Sequence, residues 1–111
     1  MPLQEKQLGQ LRPANTNAAS IYTPGAGVTV IIRNITVANT SAAQALFRIF
    51  CHNTGSTYDQ GTALFYDVPI QKYSTMQVTA YMAMNNSSGN LAVQTSVANA
   101  LTFTVFGAEV T

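Results

Sequence analysis

The sequence predicts an all-β protein, an antiparallel β-sandwich or jelly roll, on three observations. Val, Ile, Thr, Phe and Tyr dominate runs in which apolar and polar side chains alternate, the period of a half-buried strand. No window sustains apolar residues at the three- and four-residue spacing of an amphipathic helix. Clusters of Gly, Pro and Asn cut the chain at short intervals, and each separates two apolar runs. A sheet with one apolar face needs a second sheet to cover it, so short strands punctuated in this way imply two packed sheets.

Taken in order, residues 1–17, MPLQEKQLGQLRPANTN, hold Glu5, Lys6, Arg12 and two prolines, and have no strand-like run. They read as an extended N-terminal arm ahead of a β-sandwich domain spanning 18–111. Such a segment has too few apolar residues to order itself, so Leu3, Leu8, Leu11 and Arg12 are the expected grip on a partner surface. Strands are expected at 18–23, 28–39, 45–52, 62–70, 74–84, 91–96 and 101–110. Pro24 to Gly27, Asn53 to Ser56 and Asn85 to Asn90 supply turns through fixed φ, permitted positive φ, or side chains that bond their own backbone. Pro69 suits an edge strand because it has no N–H to give a neighbour.

The stretch ALFRIFCH contains the one cysteine and the one histidine. Strand alternation sends Ala45, Phe47, Ile49 and Cys51 to one face and Leu46, Arg48, Phe50 and His52 to the other. The first face is apolar throughout, so Cys51 reads as a small core hydrophobe, and Leu101, Phe103 and Val105 are expected to pack with it. The second mixes large apolar groups with Arg48 and His52, which fits an oligomer interface; the plainer reading has both polar side chains snorkelling past half-covered neighbours. In MQVTAYMAM, Met76, Val78, Ala80, Met82 and Met84 share a face and read as core filling.

Charged residues make up only 8% of the chain, far below the roughly 25% of an average soluble domain. A surface of Thr, Ser, Asn, Gln and Ala does little to keep copies apart, which points to an assembly. The five Lys and Arg residues lie apart, arguing against nucleic acid, and no apolar run approaches the length of a membrane helix. The first residues do not read as a secretory signal, so folding in a reducing cytoplasm is expected, and the sequons at Asn34, Asn39, Asn85 and Asn86 read as chance.

No catalytic, cofactor or metal site is expected. Cys51 and His52 face opposite ways, no serine accompanies the histidine on its strand, and there is no metal-ligand spacing or phosphate-binding loop. Asp59 and Asp67 could approach across a turn at Gly61, but read as ordinary loop and strand-edge acids. Tyr22, Tyr58, Tyr66, Tyr73 and Tyr81 could form a stacking platform for a ligand, although sheets also carry Tyr as half-buried packing.

The rhythm of VANTSAA, ALFRIF, TALFYDVPI, YSTMQV, GNLAVQTS and LTFTVFGAEV resembles that of small bacteriophage virion β-sandwich proteins, which include capsid decoration (cement) proteins and neck, tail and fibre accessories. The resemblance implies a non-enzymatic virion protein, made in the host cytoplasm, that contacts the major capsid protein or neck and tail proteins. A homo-oligomer is expected as well, with a trimer as the favoured state, because low charge removes the usual repulsion between copies and Leu46 with Phe50 supplies an apolar anchor. The other implied role is a receptor- or glycan-binding module of the neck, tail or fibre, using the Tyr side chains and the Asn-rich loop at 85–90.

Overall fold

In the computed structural model, which describes residues 3–79 and 81–111, the alternation in TVIIRNITVAN builds the central strand. Val30, Ile32, Ile35 and Val37 are fully buried, and the step from 32 to 35 in place of 34 marks an inserted residue. The pairing with the last strand shifts register there, between Ile32 and Asn34. A bulge of this kind bends the strand and restores its apolar face to the core.

Around it lie strands β1 Leu3–Leu11, β2 Ala19–Tyr22, β3 Thr29–Asn39, β4 Ala45–His52, β5 Ala63–Ile70, β6 Thr75–Val78, β7 Met82–Met84, β8 Asn90–Thr95 and β9 Leu101–Val110. The described residues contain no helix. They form two antiparallel sheets: β1-β9-β3-β6, with β7 also on β3, and β2-β8-β4-β5. The pairs β4·β5, β3·β6 with β3·β7, β2·β8 and β1·β9 nest inside one another along the chain. The inner faces of both sheets supply one core cluster. Phe47 of one sheet meets Phe103 of the other edge to face, with centroids 6.2 Å apart. Leu101, Phe103 and Val105 are buried as expected, and Cys51 packs half-buried against the same cluster.

Residues 3–11, read as an extended arm with no strand-like run, are a strand of the sheet. They form β1, an edge strand hydrogen-bonded along β9, and Leu8 and Leu11 pack against the core while Leu3 stays exposed. Arg12 is held inside the chain too, with Nε and Nη2 donating to the Asn99 carbonyl at 3.1 and 2.8 Å. Most β1 side chains remain in water, so the strand is specified by its backbone ladder and leaves little alternation to read. At Gly9 the strand crosses β2 so closely that a Cβ would collide with the Ile21 carbonyl.

The expected strand at 74–84 is divided into β6 and β7, which take opposite ends of β3. Val78, Met82 and Met84 are buried and Met76 packs beside them, whereas Ala80 lies outside the described residues. Pro69 sits on β5, an edge strand as expected.

Two polar devices tie the layers together. Asn39 is buried; its Nδ2 donates to the carbonyls of Ala43 and Ile70, and its Oδ1 accepts from the backbone N–H and hydroxyl of Ser41. At the other end, the Tyr22 hydroxyl on β2 donates to Glu109 on β9 at 2.5 Å, and Lys6 on β1 lies 2.7 Å from the same carboxylate. Lys6 and the Tyr22 bond hold the Glu109 carboxyl below the usual range, while burial and the carboxylate push the Tyr22 phenol up.

Candidate functional site

The outward face of the β2-β8-β4-β5 sheet carries polar side chains that converge on Arg48. Across β4 and β8, Arg48 stands opposite Gln94, Phe50 opposite Ala92 and His52 opposite Asn90. On the other side, β4 advances from Phe47 to Ile49 while β5 runs from Val68 back to Phe65, so Tyr66 and Asp67 together oppose Arg48. Asp67 adopts φ 54°, a left-handed conformation that Asp tolerates better than most residues.

This bulge gives Arg48 two partners from one strand. Its guanidinium lies 3.9 Å from the centroid of the Tyr66 ring, and Nε donates to Asp67 Oδ1 at 2.6 Å. The Asp67 carboxylate holds the guanidinium still more firmly protonated. Nη1 approaches Gln94 Oε1 at 3.5 Å, and Gln94 Nε2 donates to the Thr16 carbonyl at 2.8 Å. Two depressions adjoin here, both lined by Arg48 and Gln94: one runs past Leu46 and Ser96, the other past Tyr58, Asp59 and Tyr66. Together they form a groove bordered by the crossing segment at 16–18.

The expected interface of Leu46, Arg48, Phe50 and His52 does share this outward face, but it is only partly open. Phe50 is 1% exposed, with the Tyr58 ring 6.1 Å away, so it anchors the β4–β5 loop and is not free to meet a neighbour. His52 Nδ1 accepts the Thr57 N–H at 3.1 Å, and the ring sits against Gly55. Arg48 is paired with the Asp67 carboxylate of its own chain. Leu46 remains half-buried at the rim.

Cys51 lies on the core side, and burial pushes its thiol up, away from the thiolate a nucleophile needs. Asp59 and Asp67 are drawn into different roles, since Asp59 Oδ1 accepts the Gly61 N–H at 2.8 Å within its own turn. Among the described residues no cluster of His, Cys, Asp and Glu could hold a metal ion. The five tyrosines do not assemble into one platform: Tyr22 is buried and Tyr58 and Tyr66 border the groove, while Tyr73 and Tyr81 are exposed without lining it.

Sequence reasoning missed Gln94 and the joint placement of Tyr66 and Asp67. The available signal was in ALFYDVPI, where Phe65, Val68 and Ile70 turn inward at a spacing of three and then two. Compared with family models, curated proteins and solved structures, the chain matches none.

Proposed function

We propose that this chain is a non-enzymatic structural protein of a bacteriophage virion, and within that class a capsid cement protein. In this reading it joins copies of itself, as a trimer, and bridges neighbouring subunits of the major capsid protein, after being made in the host cytoplasm. The observation that carries it is the surface. Three ion pairs take up six of the nine charged side chains, while Leu3, Leu64, Tyr66, Tyr73, Tyr81, Val97 and Phe106 are exposed. A surface with so little uncompensated charge and this many large apolar groups suits a protein that stays in contact with neighbours.

The strand pairing supports the jelly-roll form of the sandwich. Four nested pairings describe one long hairpin ribbon rolled up, closed by β9 on β3 and β8 on β4. That double-sheet architecture recurs in viral capsid proteins and in lectins. The free edge of β1 takes over the role expected of an arm, because its outer backbone groups lie at the end of the sheet.

A place on the neck, tail or fibre, with receptor or glycan binding, is the second reading, favoured by the Arg48 groove. Quantitative mass spectrometry of washed, density-purified virions tests the first. Copy numbers comparable to those of the major capsid protein are expected. A few copies per particle favour the neck, tail or fibre, and absence from the particle overturns both.

A further inference from the structure

We propose that the groove centred on Arg48 is a binding site for a neutral, polyhydroxylated ligand, an oligosaccharide lying between β5 and the segment at 16–18. The inference deepens the glycan-binding reading of this groove by naming the ligand chemistry, rests on that reading of the groove, and holds for a head or a tail location.

The groove's charge selects the ligand class. Among the described residues, Arg48 is the only cation lining either depression, it is already paired with Asp67, and Asp59 adds a further negative charge. A phosphate, a nucleic acid or an acidic glycan would meet no uncompensated positive charge here. An apolar ligand would strip water from Arg48, Asp67 and Gln94 and return no hydrogen bonds. A sugar chain avoids both penalties, since each hydroxyl both donates and accepts.

The groups that remain suit such a partner. Among the described residues, no hydrogen bond involves Arg48 Nη2 or Asp67 Oδ2, so the ion pair keeps a donor and an acceptor for ligand hydroxyls. Tyr66 is 40% exposed and Tyr58 borders the same depression, supplying aromatic surface for the C–H faces of a pyranose ring.

The site is also held in shape before a ligand arrives. Asp67 bonds Arg48, Tyr66 supports it, and Gln94 is fixed by the Thr16 carbonyl, so little side-chain freedom is left to lose on binding. The positive φ of Asp67 is a local strain of the kind found where a side chain must be aimed.

The test uses the whole purified protein. Arrayed neutral gluco-, galacto-, manno- and N-acetylglucosamine oligosaccharides are screened, and any retained sugar is titrated while the Arg48 Nε–H and Gln94 amide resonances are followed. Binding to at least one probe is expected, with shifts at both resonances. Gln94→Ala and Tyr66→Ala are each expected to weaken it by about ten-fold or more, a change of about 1.4 kcal/mol. Tyr66→Phe, which keeps the ring, should retain most of the affinity, and unfolding midpoints of all variants show whether each is folded. No retention of any probe at millimolar sugar overturns the proposal. So do shifts confined to the Asn85 to Asn90 loop, or a Gln94→Ala protein that binds as well as the parent. If Gln94→Ala instead dissociates an oligomer while no sugar binds, the groove is a contact between copies, and the proposal also fails.

Discussion

Replacing Phe103 by Ala removes the ring that joins the two sheets. Phe103 is fully buried on β9, where it pairs with Leu11 of β1 and Val37 of β3 and packs edge to face on Phe47. An aromatic side chain buries about 150–250 Å², which at roughly 25 cal/mol/Å² corresponds to about 4–6 kcal/mol. Alanine keeps the Cβ but leaves a cavity between β-sheets that cannot close freely, so the expected loss is about 3–5 kcal/mol. With a urea slope of roughly 1.3 kcal/mol/M, the midpoint should fall by about 3 M. The chain has no Trp and five Tyr, so unfolding is followed by tyrosine fluorescence together with far-ultraviolet circular dichroism. Phe106→Ala is the internal control: three positions on and 39% exposed, it should cost about 1 kcal/mol or less. A loss below about 1 kcal/mol for Phe103→Ala, or equal losses for the two variants, would refute the assignment of the core face.

Other perturbations probe the polar devices. Asn39→Ala should cost about 2–3 kcal/mol, because the Ile70 carbonyl and the Ser41 groups lose a buried partner; thermal melts at neutral pH measure it. Gly107→Ala should cost about 1–3 kcal/mol in the same assay, since a Cβ there would run into the Ile31 carbonyl. The clasp at Glu109 predicts opposite dependences on acid and base. Its carboxyl is depressed in the folded state, so this stabilisation is present above the unfolded value near 4.3 and is lost as pH falls toward the folded one. Tyr22 is raised, so its contribution persists below about pH 10 and is lost as pH rises further. Glu109→Gln should flatten the acid limb of a stability-versus-pH curve, and Tyr22→Phe the alkaline limb.

The all-β class and the core were legible because they rest on alternation, which survives in any strand with one buried face. Phe47, Ile49, Leu101, Phe103 and Val105 are buried together for that reason. β1 was illegible because an edge strand is held mainly by its backbone, and Gln4, Glu5, Lys6 and Gln7 carry no apolar period. The groove was half legible. Arg48 was placed on the outward face of β4, but its partners arrive through a one-residue bulge at Asp67 and through Gln94 and Thr16, a contact between residues far apart in sequence. Phe50 was misjudged for a different cause: the outward face is covered locally by the loop carrying Tyr58, and alternation reports the side of a sheet without reporting what lies over it. Asn39 read as a chance sequon, because its four hydrogen bonds depend on how the corner after β3 meets the end of β5.

The most direct test of the virion assignment is cryo-electron microscopy of intact particles from which this protein has not been stripped. The account predicts symmetric density for the two-sheet domain on the outside of the capsid, clustered in threes and bridging neighbouring major capsid subunits. Particles in which no density fits the two-sheet domain, although the same infected cells contain the protein, would contradict it.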